Sequence, residues 1–224
     1  MTTPYFPKTE PVAIRLSPDR HASRDDGLCA MELTAWLAGE SHSDHPRCAS
    51  EILAAYVRRL NDNMPDDERQ RLVPFAARLI GTAGNEAQEV ERAVSLAWHA
   101  VRVLAPAALR ASSRSKRRAA TARALERQAD LFKAWTKCES VRDRLARQEG
   151  GEWSPAVFAV HRALEAARAA AYLSIGSRGV LGEVEDHAAV AAAGAAIHAH
   201  RAGCGEAWTL ALDALDESLG IGAH

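Results

Sequence analysis

The sequence predicts an all-α protein: a multi-helix bundle of about seven to nine helices with an extended N-terminal arm. Apolar side chains recur every three to four residues through most of the chain, which is the spacing of one face of an α-helix. Almost no stretch alternates between apolar and polar residues, as a half-buried β-strand does. Glycine, proline and short polar residues divide the helical stretches at positions where helices start and end.

The N-terminal part of the chain contains the arm and two helices. Residues 1–24 contain four prolines and are predicted to form the extended arm. The first helix follows Asp25 or Asp26, either of which is a good N-cap, and ends at Gly39, which suits the left-handed residue after a helix. A second helix begins at Ser50 and carries a continuous apolar stripe.

Helices also fill the middle of the chain. Pro65 suits the start of a short helix, which Pro74 divides. Asn85 caps a long helix, which Pro106 kinks or stops. Serines within 112–115 mark a polar junction after that helix.

The alanine-rich remainder predicts four further helices. One spans about 116–147, and a Ser-Pro pair at 154–155 caps and opens the next. A third spans about 183–202, and the last carries Trp208 in a regular apolar stripe.

These elements predict an arm over 1–24, an N-terminal helical half over 25–112 and a C-terminal half over 113–224. The two halves form either separate units or one continuous domain.

The composition is that of an ordinary globular protein. Its 224 residues include 47% hydrophobic and 25% charged side chains. The net charge of −1 argues against a protein whose whole surface binds nucleic acid, although it is compatible with a local basic patch. Four cysteines in a chain of this length indicate reduced thiols and a cytoplasmic protein rather than a disulfide scaffold. The sequence shows neither a signal peptide nor an apolar run long enough for a membrane span.

The chemically richest stretch is 25–62, where two cysteines and two histidines lie in or between two predicted helices. Two thiolates and two imidazoles in this stretch form a candidate tetrahedral zinc site: Cys29, His42, His45 and Cys48. Their spacing is not that of the familiar zinc fingers. The alternative is that Cys29 is a small buried apolar residue and the two histidines are solvated. Apart from zinc, we expect no cofactor.

A second interpretation makes Cys29 a nucleophile. With Asp26 as the N-cap, Cys29 lies in the first helical turn, where unpaired N–H groups favour a thiolate. His45 would then be the base, and Asp44 would orient it. No oxyanion loop accompanies these residues, so we assign no catalytic residue from the sequence.

Several short motifs lie in the first third of the chain: Asp26-Gly27-x-Cys29-x-Met31-Glu32, Trp36-Leu37-Ala38-Gly39-Glu40, Ser43-Asp44-x-Pro46-x-Cys48, Asn61-Asp62, Arg69-Gln70 and Ile80-Gly81-Thr82. Through these motifs the segment resembles a family of uncharacterised proteins from actinobacteria and their phages. The family has no assigned activity, so the resemblance implies a bacterial or phage cytoplasmic protein and no catalytic roles.

A run of cations forms a candidate nucleic-acid-binding segment: Arg110, Arg114, Lys116, Arg117, Arg118, Arg123 and Arg127. Such a run can neutralise phosphates and release counterions. It has no interleaved aromatic residues for base stacking, and charge runs often serve only as solvated faces.

The sequence therefore leaves three classes of function open. The favoured class is a non-enzymatic protein that acts by protein–protein interaction, for example a phage or mobile-element modulator of host machinery such as an inhibitor of bacterial immunity. The alternatives are a nucleic-acid-associated protein that uses 110–127, and a zinc-binding protein. A protein partner and self-association into a homo-oligomer are both compatible with the sequence.

Overall fold

The computed structural model of the protein describes residues 14–176 and 184–222, and all regular structure within them is helical. Nine helical segments follow one another in these ranges: α1 (Ala30–Leu37), α2 (Glu51–Asn63), α3 (66–79), α4 (86–112), α5 (Lys116–Glu126), α6 (Leu131–Gln148), α7 (Pro155–Ser174), α8 (Val184–Arg201) and α9 (Ala207–Leu219). The prediction of an all-α bundle with about seven to nine helices is confirmed.

Side-chain caps explain where several helices begin. The Ser50 hydroxyl accepts a hydrogen bond from the backbone N–H of Leu53, and Asn85 forms a capping box at the start of α4, as predicted. The start of α1 lies later than predicted: its N-cap is Cys29, whose sulfur accepts from the backbone N–H of Glu32. Gly39 follows the helix with a φ of 72°, the left-handed conformation expected there.

Pro74 does not itself divide α3, and Pro106 does not stop α4. Pro74 lies in the first turn of Val73–Leu79, where its missing N–H is not needed, and the irregularity in α3 is the preceding 3-10 turn. In α4, Ala100–Leu104 is a π-helical segment immediately before Pro106. A proline removes one hydrogen bond of the α-helical ladder, and the wider π turn lets α4 continue instead of ending.

The single helix predicted over 116–147 is two helices. α5 ends at Glu126, and α6 begins after Asp130, whose carboxylate accepts from the backbone N–H of Lys133. Residues 127–130 therefore form a turn, and α5 and α6 form a helical hairpin.

The core lies between helices of both predicted halves. α7 and α8 make the most extensive helix contact, and α8 also packs against α2 and α4. The contact between α7 and α8 is made largely of buried alanines, which allow a close approach of the two helices. Tyr56 of α2 is fully buried and donates to the backbone carbonyl of Ala211 in α9. None of the described helices is long and apolar enough to cross a membrane.

The described part of the predicted arm, residues 14–24, has no regular secondary structure. Leu16 is buried, and the side chain of Gln70 bonds both its N–H (2.8 Å) and its carbonyl (3.0 Å). This part of the chain is thus attached to α3. Residues 1–13 of the arm lie outside the described residues.

Candidate functional site

The hairpin of α5 and α6 exposes a group of cations that we call the basic surface. It consists of nine exposed side chains: Arg114, Lys116, Arg117, Arg123, Arg127, Lys133, Lys137, Arg144 and Arg147. Five of them belong to the predicted basic run. The other two members of that run are paired with carboxylates, Arg110 with Glu126 at 2.5 Å and Arg118 with Glu149.

The cations of α6 lie on one side of the helix. Their positions follow the i, i+4, i+11, i+14 spacing of a single helical face: Lys133, Lys137, Arg144 and Arg147. Arg144 donates to the hydroxyl of Thr121 in α5 at 2.9 Å, so this face borders α5. Arg117 lies one helical turn before Thr121 and is therefore next to the cations of α6.

Charge is concentrated around this hairpin. Residues 105–148 contain twelve lysines and arginines and four carboxylates, a net charge of +8 in a chain whose total is −1. Within the described residues, none of the nine cations of the basic surface forms an ion pair. Their fields therefore add instead of being cancelled locally.

A second cluster surrounds Glu32, whose carboxylate is fully buried. One oxygen accepts from the N–H of Cys29 and from Nδ1 of His21, both at 2.8 Å, and the other accepts from the N–H of His21 at 2.7 Å. On its other side the His21 ring has Nε2 at 2.8 Å from the Ser17 hydroxyl. Burial opposes ionisation of Glu32, but the hydrogen bonds outweigh it and lower the pKa of this carboxyl.

The loop that carries Ser17 and His21 is held by a polar network. The Asn61 side chain donates to the carbonyl of Ser17 and accepts from the N–H of Ala30. The guanidinium of Arg69 in turn donates to the backbone carbonyl of Asn61 at 2.7 Å. Several residues behind the family resemblance therefore meet around the first turn of α1.

Two of the four predicted zinc ligands lie at the Glu32 cluster. Cys29 caps α1 and is buried. His42 donates from Nε2 to the carbonyl of His21 at 3.1 Å and lies 3.5 Å from the Glu32 carboxylate.

The other two predicted ligands have separate partners. Nδ1 of the exposed His45 lies 2.9 Å from Asp44. Burial, and then a hydrogen bond to Glu40, raise the pKa of the Cys48 thiol. The structure does not bring the four predicted ligands together, and the described part of the chain has no group of three or more His, Cys, Asp or Glu side chains positioned to hold a metal.

The prediction of a Cys29 thiolate is wrong. Burial, and then the nearby Glu32 carboxylate, raise the pKa of the Cys29 thiol to about 12 and outweigh the hydrogen bonds from the helix N-terminus. His45 bonds Asp44 at the surface, whereas Cys29 faces Glu32, so the three residues do not form a nucleophilic triad.

A cleft of about 600 Å³ lies between the starts of α2 and α4. The backbone N–H of Ile52 in the first turn of α2 already has an anion partner, because the Glu89 carboxylate accepts from it at 3.3 Å and from the Ser50 hydroxyl at 2.5 Å. At the start of α2 the cleft therefore already contains a carboxylate of the protein itself.

Two groups of candidate residues were not predicted from the sequence. The cations of α6 have a helical spacing that was available in the sequence, whereas Ser17 and His21 meet only through the fold of an irregular loop.

Comparison with models of known protein families, with curated proteins and with solved structures finds no match to this chain.

Proposed function

We propose that the protein binds nucleic acid through the basic surface. The observation behind this proposal is a set of nine exposed cations, none of them in an ion pair, on α5, on α6 and directly beside the ends of α5, in a chain whose total charge is close to zero. A surface that only needed to be solvated would gain from neighbouring opposite charges, which the rest of this chain uses in its ion pairs. Regularly spaced phosphates are a natural counterpart for the row of lysines and arginines on α6 and the cations of α5 beside it.

Binding to phosphates has a distinctive dependence on salt. If about four cations contact phosphates, the logarithm of the association constant falls with the logarithm of salt concentration with a slope of about −3.6. Affinity then drops about a hundredfold between 50 and 200 mM salt. The exposed Phe132 lies next to Lys133, so single strands are included among the probes.

The test measures fluorescence anisotropy of labelled duplex DNA, single-stranded DNA and RNA of equal length. The variant Arg117→Glu/Arg123→Glu/Lys137→Glu removes three cations whose side chains make no hydrogen bond or ion pair in the described structure. We expect it to abolish binding and to leave thermal stability unchanged.

The matched control reverses three exposed cations elsewhere, Arg47, Arg59 and Arg201. Because it changes the net charge equally, it separates a local site from a general effect of charge. An equal loss of nucleic-acid affinity in both triple variants would contradict a nucleic-acid interface. So would wild-type binding to polyglutamate that is as tight as its binding to the nucleic acids.

A second candidate function is binding of a protein partner, which the sequence favoured. Its support is three exposed apolar side chains, which we call the apolar patch, at the end of α1 and directly after α3: Trp36 (41% exposed), Leu37 (48%) and Ile80 (36%). α1 and α3 pack against each other. The phage-modulator version of this proposal rests on the resemblance of the N-terminal segment.

This second candidate is tested by crosslinking capture from a bacterial extract with wild type and with Trp36→Ser/Leu37→Ser. Ile175→Ser, which removes a still more exposed apolar side chain (59%) far along the chain, is the control. A partner that the double variant loses and the control keeps would support the patch. Capture of chaperones alone, or of the same proteins by all three, would count against it.

A further inference from the structure

We infer that Ser17 is a nucleophile, activated by His21 and Glu32, for the hydrolysis of carboxylic esters. The three side chains are linked in the order of a hydrolase triad. Nε2 of His21 lies 2.8 Å from Oγ of Ser17, and Nδ1 lies 2.8 Å from a carboxylate oxygen of Glu32. Both distances are those of good hydrogen bonds.

The hydrogen bonds determine which nitrogen of His21 carries the proton. An ionised carboxylate accepts only, so Nδ1 must donate to Glu32. In the neutral ring Nε2 is then an acceptor, and the hydroxyl of Ser17 donates to it. The competing acceptor, the carbonyl of Leu28, is 3.5 Å from the hydroxyl, beyond the usual range for an O–H donor. The resting state therefore has the proton arrangement that a serine nucleophile needs.

Glu32 is held firmly enough to orient His21. Its carboxylate is buried and receives two backbone N–H groups besides the imidazole, and it lies in the first turn of α1. The helix N-terminus favours its negative charge. His42, 3.5 Å from the same carboxylate, is the other imidazole that faces it.

Gly27 is a positioning residue at this site. Its φ is 144°, and a Cβ there would lie 2.5 Å from the His21 ring and 2.8 Å from the Ser17 hydroxyl. The glycine thus packs directly on the contact between Ser17 and His21. Ser17 and His21 are both partly exposed.

The reaction follows from these positions. As Oγ of Ser17 attacks the ester carbonyl carbon, a C–O bond forms, the carbonyl π electrons move to its oxygen, and Nε2 of His21 takes the hydroxyl proton. On collapse, the bond to the leaving alkoxide breaks and His21 returns the proton to it. Water then attacks the acyl-Ser17 ester in the same way and releases the acid. One ester and one water give one acid and one alcohol.

The first test uses a fluorophosphonate probe on the full-length protein at pH 8, with the modified residue identified by mass spectrometry. Oγ of Ser17 forms a bond to phosphorus, fluoride leaves, and His21 takes the proton. We expect labelling at Ser17 and none at Ser23, a serine of the same loop that bonds Asp26. His21→Gln should slow labelling about 10²–10⁴-fold, and His45→Gln, which alters an exposed histidine, should not change it.

The second test follows p-nitrophenyl acetate hydrolysis against pH. His21→Gln should abolish the pH profile of the wild-type rate along with most of the rate itself, which a purely structural role of His21 would not produce. Ser17→Ala should show no activity above that of buffer alone, whereas Ser23→Ala should keep the wild-type rate. An unlabelled Ser17 in folded wild-type protein refutes the inference even if a variant fails to fold, and so does labelling that is independent of His21.

Discussion

Replacement of Glu32 by glutamine tests whether the buried carboxylate holds the N-terminal loop to α1. In wild type the two oxygens accept from Cys29 N–H, His21 N–H and the His21 ring. An amide has one acceptor oxygen, so its NH2 group must face at least one of these donors. One unsatisfied buried donor costs about 1–3 kcal/mol, and weakening of the remaining charge-assisted bonds adds about 1 kcal/mol. We therefore expect Glu32→Gln to lower the free energy of unfolding by about 2–4 kcal/mol.

The loss should also depend on pH with a defined sign. The pKa of Glu32 is lower in the folded protein than its usual value of 4.5, so the unfolded chain binds more protons as the pH falls below that value. The stabilisation is fully present above pH 4.5 and disappears as the pH falls through the folded pKa. In Glu32→Gln this part of the acid sensitivity should be absent.

Urea unfolding followed by circular dichroism between pH 3 and 7 measures both effects. Glu68→Gln is the matched control, since Glu68 pairs with Arg71 at the surface and such pairs contribute only about 0–1 kcal/mol. If the two variants were equally stable at pH 7, the buried carboxylate would not be the anchor described above.

Three further predictions concern single side chains. Tyr56→Phe removes the hydrogen bond from α2 to α9 and should cost about 0.5–1.5 kcal/mol in urea unfolding; no change would mean that the bond is replaced by water. Cys204 is partly exposed, whereas Cys29 and Cys138 are buried, and burial raises the pKa of both buried thiols to about 12. Ellman's reagent at pH 8 should therefore modify Cys204 quickly and the two buried thiols only after unfolding. Burial, and then neighbouring arginines, lower the pKa of His198 to about 4, so its ring should remain neutral in NMR titrations to about pH 5, and stability should fall as the pH drops from 6.5 towards 4; a titration midpoint near 6.5 would contradict this.

The helices were predictable because their signals are local. Ser50 and Asn85 cap helices in the structure as their sequence context indicates, and apolar stripes continue between the caps. The turn at 127–130 was missed because Arg127, Gln128 and Ala129 within it are good helix formers and no glycine or proline marks the break. The capping role of Cys29 was missed because cysteine is not a preferred N-cap residue.

The candidate sites were less predictable because they depend on contacts between segments. Arg110 and Arg118 look identical to their neighbours in sequence, yet each is paired with a carboxylate from another segment. The thiolate predicted for Cys29 failed because helix position indicates nothing about burial, which dominates its pKa. His21 reaches Glu32 only because an irregular loop folds back onto α1.

The alanine contact between α7 and α8 makes the protein unevenly tolerant of substitution. Each buried methyl group contributes little by itself, about 0.8 kcal/mol, so trimming one alanine to glycine there is a modest loss. Replacing one of these alanines by leucine should cost much more stability. The two helices would have to move apart, and neighbouring alanines would lose part of their contact with the facing helix. Variation in this chain should therefore concentrate on its outer, charged faces, while the seam admits only the smallest side chains.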